Sequence, residues 1–198
     1  MKRLTQLVLV VLLGTCSAFA NSIGFTLSSI ASGTIGGTSF SDATFTIHGH
    51  GDTSHVVSFG SGDYFLDLGF ATIKIQGVGT FSFTTSTRFF SDSGGLVGFS
   101  RAGVDGYDLI EGPFLSPWNW NMQTSVGLVT GDGYITQWNL SPVLTNGGVL
   151  VLNDSDTQPF TFSAKVGSVV TPEPGTICLL VTGLASIAGQ SLARKMRR

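Results

Sequence analysis

The densest run of side chains able to do chemistry is His48-Gly49-His50-Gly51-Asp52. Neutral imidazoles and a carboxylate suit zinc, whose bound water then loses a proton near neutral pH. The residue that follows is Thr53, and His55 is the only other histidine of the chain. A loop between two strands accounts for the run equally well. The expectation is therefore no metal, with His48, His50 and Asp52 as the candidate ligands should one bind.

The same run resembles the His-x-His-x-Asp-His motif of metallo-β-lactamase-like hydrolases. That resemblance implies a metal-dependent hydrolase, but the closing histidine, the further histidines and the alternating helices of that fold are missing. Ser, His and Asp occur without a Gly-x-Ser-x-Gly elbow, since Gly60-Ser61-Gly62 lacks both the spacing and a strand-to-helix setting. No catalytic residue is assigned. Calcium, which wants six to eight oxygens, would find its best sites in Asn153-Asp154-Ser155-Asp156 and Gly131-Asp132-Gly133, with Asp105 and Asp108 behind them. None of these has EF-hand spacing, and aspartate in turns is ordinary.

The aromatic residues point to binding. In extended form, Pro117-Trp118-Asn119-Trp120-Asn121 would set both indoles on one face and both amides on the other. Tyr134 and Trp138 would share a face of a strand over Gly133–Leu140. Flat aromatic faces with a few placed polar groups are what a sugar-binding surface needs. Trp118, Trp120, Tyr134 and Trp138 are thus the candidate carbohydrate contacts, although aromatic stripes on strands are more often core and burial in the core is the leading reading.

These residues must be positioned by strands, because period-two alternation dominates the middle of the chain. It predicts strands over Ile23–Ile30, Ala43–His48, Val56–Phe59, Tyr64–Leu68, Ala71–Gln76 and Thr80–Phe90. Further ones are predicted over Leu96–Ser100, Ser125–Thr130, Gly133–Leu140, Val149–Asn153 and Phe160–Val170. Gly36-Gly37, Gly60-Ser61-Gly62-Asp63, Ser93-Gly94-Gly95, Gly131-Asp132-Gly133 and Asn146-Gly147-Gly148 read as turns, where glycine supplies positive φ. The pattern predicts an all-β body over 21–166, an antiparallel sandwich or jelly roll.

Charge narrows the partners. Between Asn21 and Thr171, Lys74, Arg88, Arg101 and Lys165 stand against ten aspartates and Glu111, a net charge of −7. Such a surface repels nucleic acid, which binds through phosphate-neutralising cations. It also repels anionic polysaccharide unless divalent cations bridge the two. Both cysteines, Cys16 and Cys178, fall outside this stretch, so the body has neither a disulfide nor a thiol nucleophile.

The two ends carry addresses. Met1-Lys2-Arg3, the apolar Leu4–Leu13 and Ala18-Phe19-Ala20 make a signal peptide over 1–20, cleaved after Ala20 by signal peptidase. Leu13-Gly14-Thr15-Cys16 approaches a lipobox, but Thr15 suits it poorly. At the other end, a tether over 167–175 contains Pro172-Glu173-Pro174. An apolar stretch over 176–193 follows, then Arg194, Lys195, Arg197 and Arg198 in a basic tail over 194–198. A helix over Thr176–Leu192 would be about 26 Å long, near the short limit for a bilayer core of about 30 Å. The terminal cations act as a stop-transfer signal that stays in the cytoplasm, as do Lys2 and Arg3, which leaves the body outside.

The Pro-Glu-Pro motif, single span and basic cluster resemble the PEP-CTERM sorting signal of bacterial exported proteins. The resemblance covers about 171–198 only. It implies recognition and removal of the tail by an exosortase, in bacteria that make extracellular polysaccharide. The expected function is a non-catalytic surface or extracellular-matrix protein, first anchored in the membrane and then placed at the cell surface or in the matrix. A carbohydrate-binding module is the alternative.

Overall fold

The structure, a computed structural model, describes residues 20–103, 107–115, 120–140 and 143–169. The signal peptide up to residue 19, the Pro-Glu-Pro motif, the membrane stretch and the basic tail lie outside these residues. No helix among the described residues is long and apolar enough to cross a membrane.

Residues Asn21–Ser168 form a compact all-β unit. Its strands are β1 (Ala20–Ile35), β2 (Thr38–Asp52), β3 (Val57–Gly60), β4 (Asp63–Asp67), β5 (Phe70–Ile75) and β6 (Gly79–Ser82). They continue as β7 (Thr87–Ser91), β8 (Leu96–Arg101), β9 (Asp108–Phe114), β10 (Val126–Ile135), β11 (Val143–Thr145), β12 (Gly148–Leu152) and β13 (Ser155–Val169). The sheet order is β3-β4-β7-β8-β9-β10-β13-β1-β2-β5-β6, with β12 joining β1 to β11.

Two long hairpins organise this sheet. The first is β1–β2, turning at Gly36-Gly37, where φ of +55° and +85° favours glycine. In the second, β10 and β11 run out and β12 and β13 run back, turning at Asn146-Gly147. β12 and β13 follow one another along the same side of β1, since Gly33 pairs with Leu152 while Ser29 Oγ donates to Pro159 O. The sheet then curls until β6 meets β11. Phe83 bridges to Thr145, and Thr84 N donates to Leu144 O at 2.9 Å.

Alternation decides which side chains go inside. Ile23, Phe25 and Leu27 of β1, Ile73 and Ile75 of β5, and Phe160 and Phe162 of β13 are buried. They meet Phe89 of β7 and Phe99 of β8 from the other half of the sheet, as in a sandwich. Phe25 stacks on Phe89 with ring centroids 4.5 Å apart, and Phe45 meets Phe160 edge to face at 6.3 Å. Aromatic pairs in these geometries contribute beyond the area they bury.

Several predicted elements are corrected. Thr80–Phe90 is two strands in different halves of the sheet, because the chain turns away after Phe83 to pair with β11. Gly131-Asp132-Gly133 is no turn but the middle of β10, which replaces the two strands expected on either side of it. A Cβ on Gly133 would come within 2.6 Å of Glu111 O and 2.7 Å of the Phe160 ring, so glycine there serves close approach between strands. β9 and β11 were not anticipated. β13 runs through Gly167 to Val169, into the stretch read as a tether.

Candidate functional site

The outer face of β4, β7, β8 and β9 holds a cleft of about 520 Å³. Pairing register aligns its residues in two rows. Phe65 lies beside Phe90, Phe90 beside Gly98, and Gly98 beside Glu111. In the second row Asp67 lies beside Arg88, Arg88 beside Ser100, and Ser100 beside Asp108. One row is largely aromatic and the other largely charged, and each ends in a carboxylate on β9.

Gly98 makes the floor flat. A Cβ there would collide with the Phe90 ring, which instead lies across β8. Arg88 Nε donates to Asp67 Oδ1 at 2.9 Å, and its guanidinium rests 4.3 Å from the centre of the Phe65 ring. The Arg88 side chain is 15% exposed and Asp67 58%, so the cation is held under a more open carboxylate. Phe59 of β3 extends the aromatic wall, with its ring centroid 6.2 Å from that of Phe65.

Two carboxylates at the cleft are occupied by turns. Asp63 Oδ1 accepts from Ser93 N, and Asp92 Oδ1 accepts from Leu96 N, both at 2.8 Å. Among the described residues, no side-chain hydrogen bond or ion pair engages the carboxylates of Asp108 or Glu111. Burial raises the pKa of Asp108 above its ordinary 3.8, the Glu111 charge raises it further, and Arg88 offsets part of this. The cleft thus offers flat apolar rings, a fixed guanidinium and two carboxylates with acceptor capacity to spare.

The residues singled out by sequence lie elsewhere. β2 runs on through the stretch read as a loop, so His48, His50 and Asp52 share its outer face, with both histidines exposed. They are not gathered around a common point. His48 Nδ1 is 3.2 Å from Thr26 Oγ1, while Asp52 Oδ1 accepts from Ser54 N at 2.8 Å and caps a short 3-10 turn over Thr53–His55. That hydrogen bond holds the Asp52 carboxyl below its usual range, with the nearby His55 adding to the effect. Among the described residues no group of three or more His, Cys, Asp or Glu is placed to hold a metal ion.

The calcium candidates are similarly dispersed. Asp132 lies within β10 opposite Pro159, and Ser155 Oγ accepts from Ile135 N at 3.3 Å. Asn153 and Asp154 lie between β12 and β13, and Asp108 belongs to the cleft. Asp105 and the side chain of Asp156 are outside the described set.

The tryptophan platform needs the plainest correction. Trp138 is fully buried with Nε1 donating to Leu109 O at 2.7 Å, and Trp120 packs edge-on against Phe162 at 5.6 Å. Neither ring offers a face to a sugar. Tyr134 is exposed, so it does not share a side with Trp138, and Trp118 is outside the described residues. β10 ends at Ile135, and Trp138 lies in the turn that follows Gln137, whose φ is +57°.

Phe65, Arg88, Phe90 and Glu111 were missed, although a signal existed. Leu66 and Phe89 are core residues, so their neighbours Phe65, Arg88 and Phe90 had to face outward together. Comparison of the chain with protein-family models, with characterised proteins and with solved structures finds no match.

Proposed function

We propose that this is a non-catalytic exported protein, delivered to the cell surface or extracellular matrix through its carboxy-terminal sorting signal. The observation that carries the reading is the pair of end segments. Ala18-Phe19-Ala20 closes a secretory leader, and Pro172-Glu173-Pro174 precedes an apolar stretch and the cations Arg194, Lys195, Arg197 and Arg198. Both ends keep their cations on the cytoplasmic side and so give one topology.

The body between them is compatible with that topology. Ser22 Oγ donates to Gly167 O at 3.2 Å, so its first and last strands begin and end side by side. The protein partners on this reading are signal peptidase and an exosortase. Asp52, the carboxylate of the histidine-rich run, is committed to its backbone cap, which favours a structural over a hydrolytic role. A carbohydrate-binding role through the tryptophans is weakened by the burial of Trp120 and Trp138.

Mass spectrometry of the mature protein from cells containing an exosortase tests this. The expected product starts at Asn21 and lacks the basic tail, whereas a chain with Pro172→Ala and Pro174→Ala keeps it. A wild-type product still ending in Arg198 in such cells would overturn the reading.

A further inference from the structure

The geometry points to the cleft on β4, β7, β8 and β9 as a binding site for an amino-bearing glycan, with a pyranose ring on Phe90 and its ammonium group against Asp108 and Glu111. The inference goes beyond sorting and stands whether or not the tail is removed.

Size and shape come first. A volume of about 520 Å³ lies within the range of about 300–1,000 Å³ usual for small-ligand sites. Its floor is flat because Gly98 yields its space to the Phe90 ring. The apolar face of a pyranose packs on such a ring, while hydroxyls and amines at its edge need polar partners within reach.

Charge then selects among glycans. Arg88, the one cation of the cleft among the described residues, is already engaged by Asp67 and by the Phe65 ring. Asp63 and Asp92 are held by turn amides. Asp108 and Glu111 remain, on a body of net charge −7. A uronic acid would add repulsion to both carboxylates. A neutral sugar would gain stacking and hydrogen bonds from its hydroxyls to the carboxylates. An ammonium group donates to the same carboxylates as an ion pair, adding direct charge attraction to the hydrogen bond. It also offsets the burial, and the repulsion from Glu111, that make Asp108 reluctant to ionise. A bare divalent cation fits less well, since calcium seeks six to eight oxygens and leaves the aromatic rings without a role.

Calorimetry on the full chain, purified in a sugar-free polyoxyethylene detergent, tests the assignment. A glucosamine hexamer is the probe, and an N-acetylglucosamine hexamer is its uncharged counterpart. The amino hexamer should bind at least tenfold more tightly than the acetylated one. Glu111→Gln and Asp108→Asn, both near-isosteric, should each lower its affinity about tenfold while thermal melting stays cooperative. Phe90→Leu should weaken both hexamers. The proposal fails if the amino hexamer does not bind at millimolar concentration, if the two hexamers bind alike, or if the carboxylate variants bind like the parent. It also fails if spermine binds as tightly as the amino hexamer, because the cleft would then recognise charge without the sugar ring.

Discussion

Trp138 fills the core and at the same time satisfies a backbone acceptor, so its two roles separate by substitution. Trp138→Phe keeps an aromatic ring but removes the 2.7 Å donor to Leu109 O, which retains Thr136 N at 3.1 Å, and should cost about 0.5–1.5 kcal/mol. Trp138→Ala opens a cavity as well and should cost about 3–5 kcal/mol. Urea unfolding monitored by circular dichroism reads both, and equal costs would show that the buried ring contributes nothing beyond its hydrogen bond. Asp108 gives a prediction of the opposite sign. Its folded-state pKa is raised, so the native protein binds more protons than the unfolded chain at pH values above 3.8. Stability contributed by the protonated form is therefore lost as pH rises from the unfolded to the folded pKa. Asp108→Asn escapes the desolvation and the Glu111 repulsion, and also forgoes the attraction of Arg88. It should melt at a higher temperature than the parent at pH 7, with the gain vanishing below about pH 4. A gain that persists at pH 3 would point to some other cause. The tryptophans also mark where sequence reading stops at this scale. Their identities were legible, but Trp138 lies in a turn beyond the end of β10, after the left-handed Gln137, a backbone conformation that nothing in the side-chain pattern announces.

At the scale of elements, Gly33 is among the tightest joints of the described residues. It pairs with Phe40 of β2 on one side and Leu152 of β12 on the other, beside a bulge in β1. A Cβ there would press on Val151 O, and would lie 3.1 Å from both Leu152 Cα and the tip of the Phe40 ring. Backbone gives way less easily than a side chain, so Gly33→Ala should destabilise by about 1–3 kcal/mol. Gly37→Ala in the turn meets no neighbour and should cost only the strain of its positive φ, about 1 kcal/mol. If the two cost the same under urea, close packing at the joint is not what glycine serves. Strand existence was largely legible, because Ile73 and Ile75 alternate with Thr72 and Lys74 and the structure buries them as alternation requires. Strand boundaries were less so. Asp132 between two glycines carries every local mark of a turn, yet it lies in β10, because those glycines admit Glu111 O, Phe160 and Pro113 from neighbouring strands. Local chemistry cannot distinguish a glycine that bends the chain from one that lets another chain segment approach. The cleft was hidden for a related reason: Phe65, Phe90 and Glu111 meet only through register between distant strands.

For the whole molecule, the juxtaposition that matters most is between its two ends. Ser22 and Gly167 touch although 145 residues separate them, and β1 takes partners from both the near and the far part of the chain. Closing so long a loop carries an entropic cost that must be met before β1–β13 contacts reward it. Joining Val169 to Ala20 by a short flexible linker would make that contact local. New ends at Ser61 would open only the β3–β4 turn, where φ of +51° at Ser61 and +89° at Gly60 shows the chain already turning tightly at the surface. The permuted chain, running from Ser61 to Val169, through the linker, and from Ala20 to Gly60, should fold to the same all-β spectrum and unfold in one cooperative step. Its refolding should be faster than that of the unpermuted body over 20–169, while its unfolding rate changes little except for the loss at β3. Stopped-flow fluorescence of the core tryptophans reads both rates. A permutant that refolds more slowly would show that the β3–β4 hairpin, and not closure of β1 onto β13, limits folding. One that fails to fold at all would show that the order of the chain, with each tail at its natural end, is needed to form the sheet.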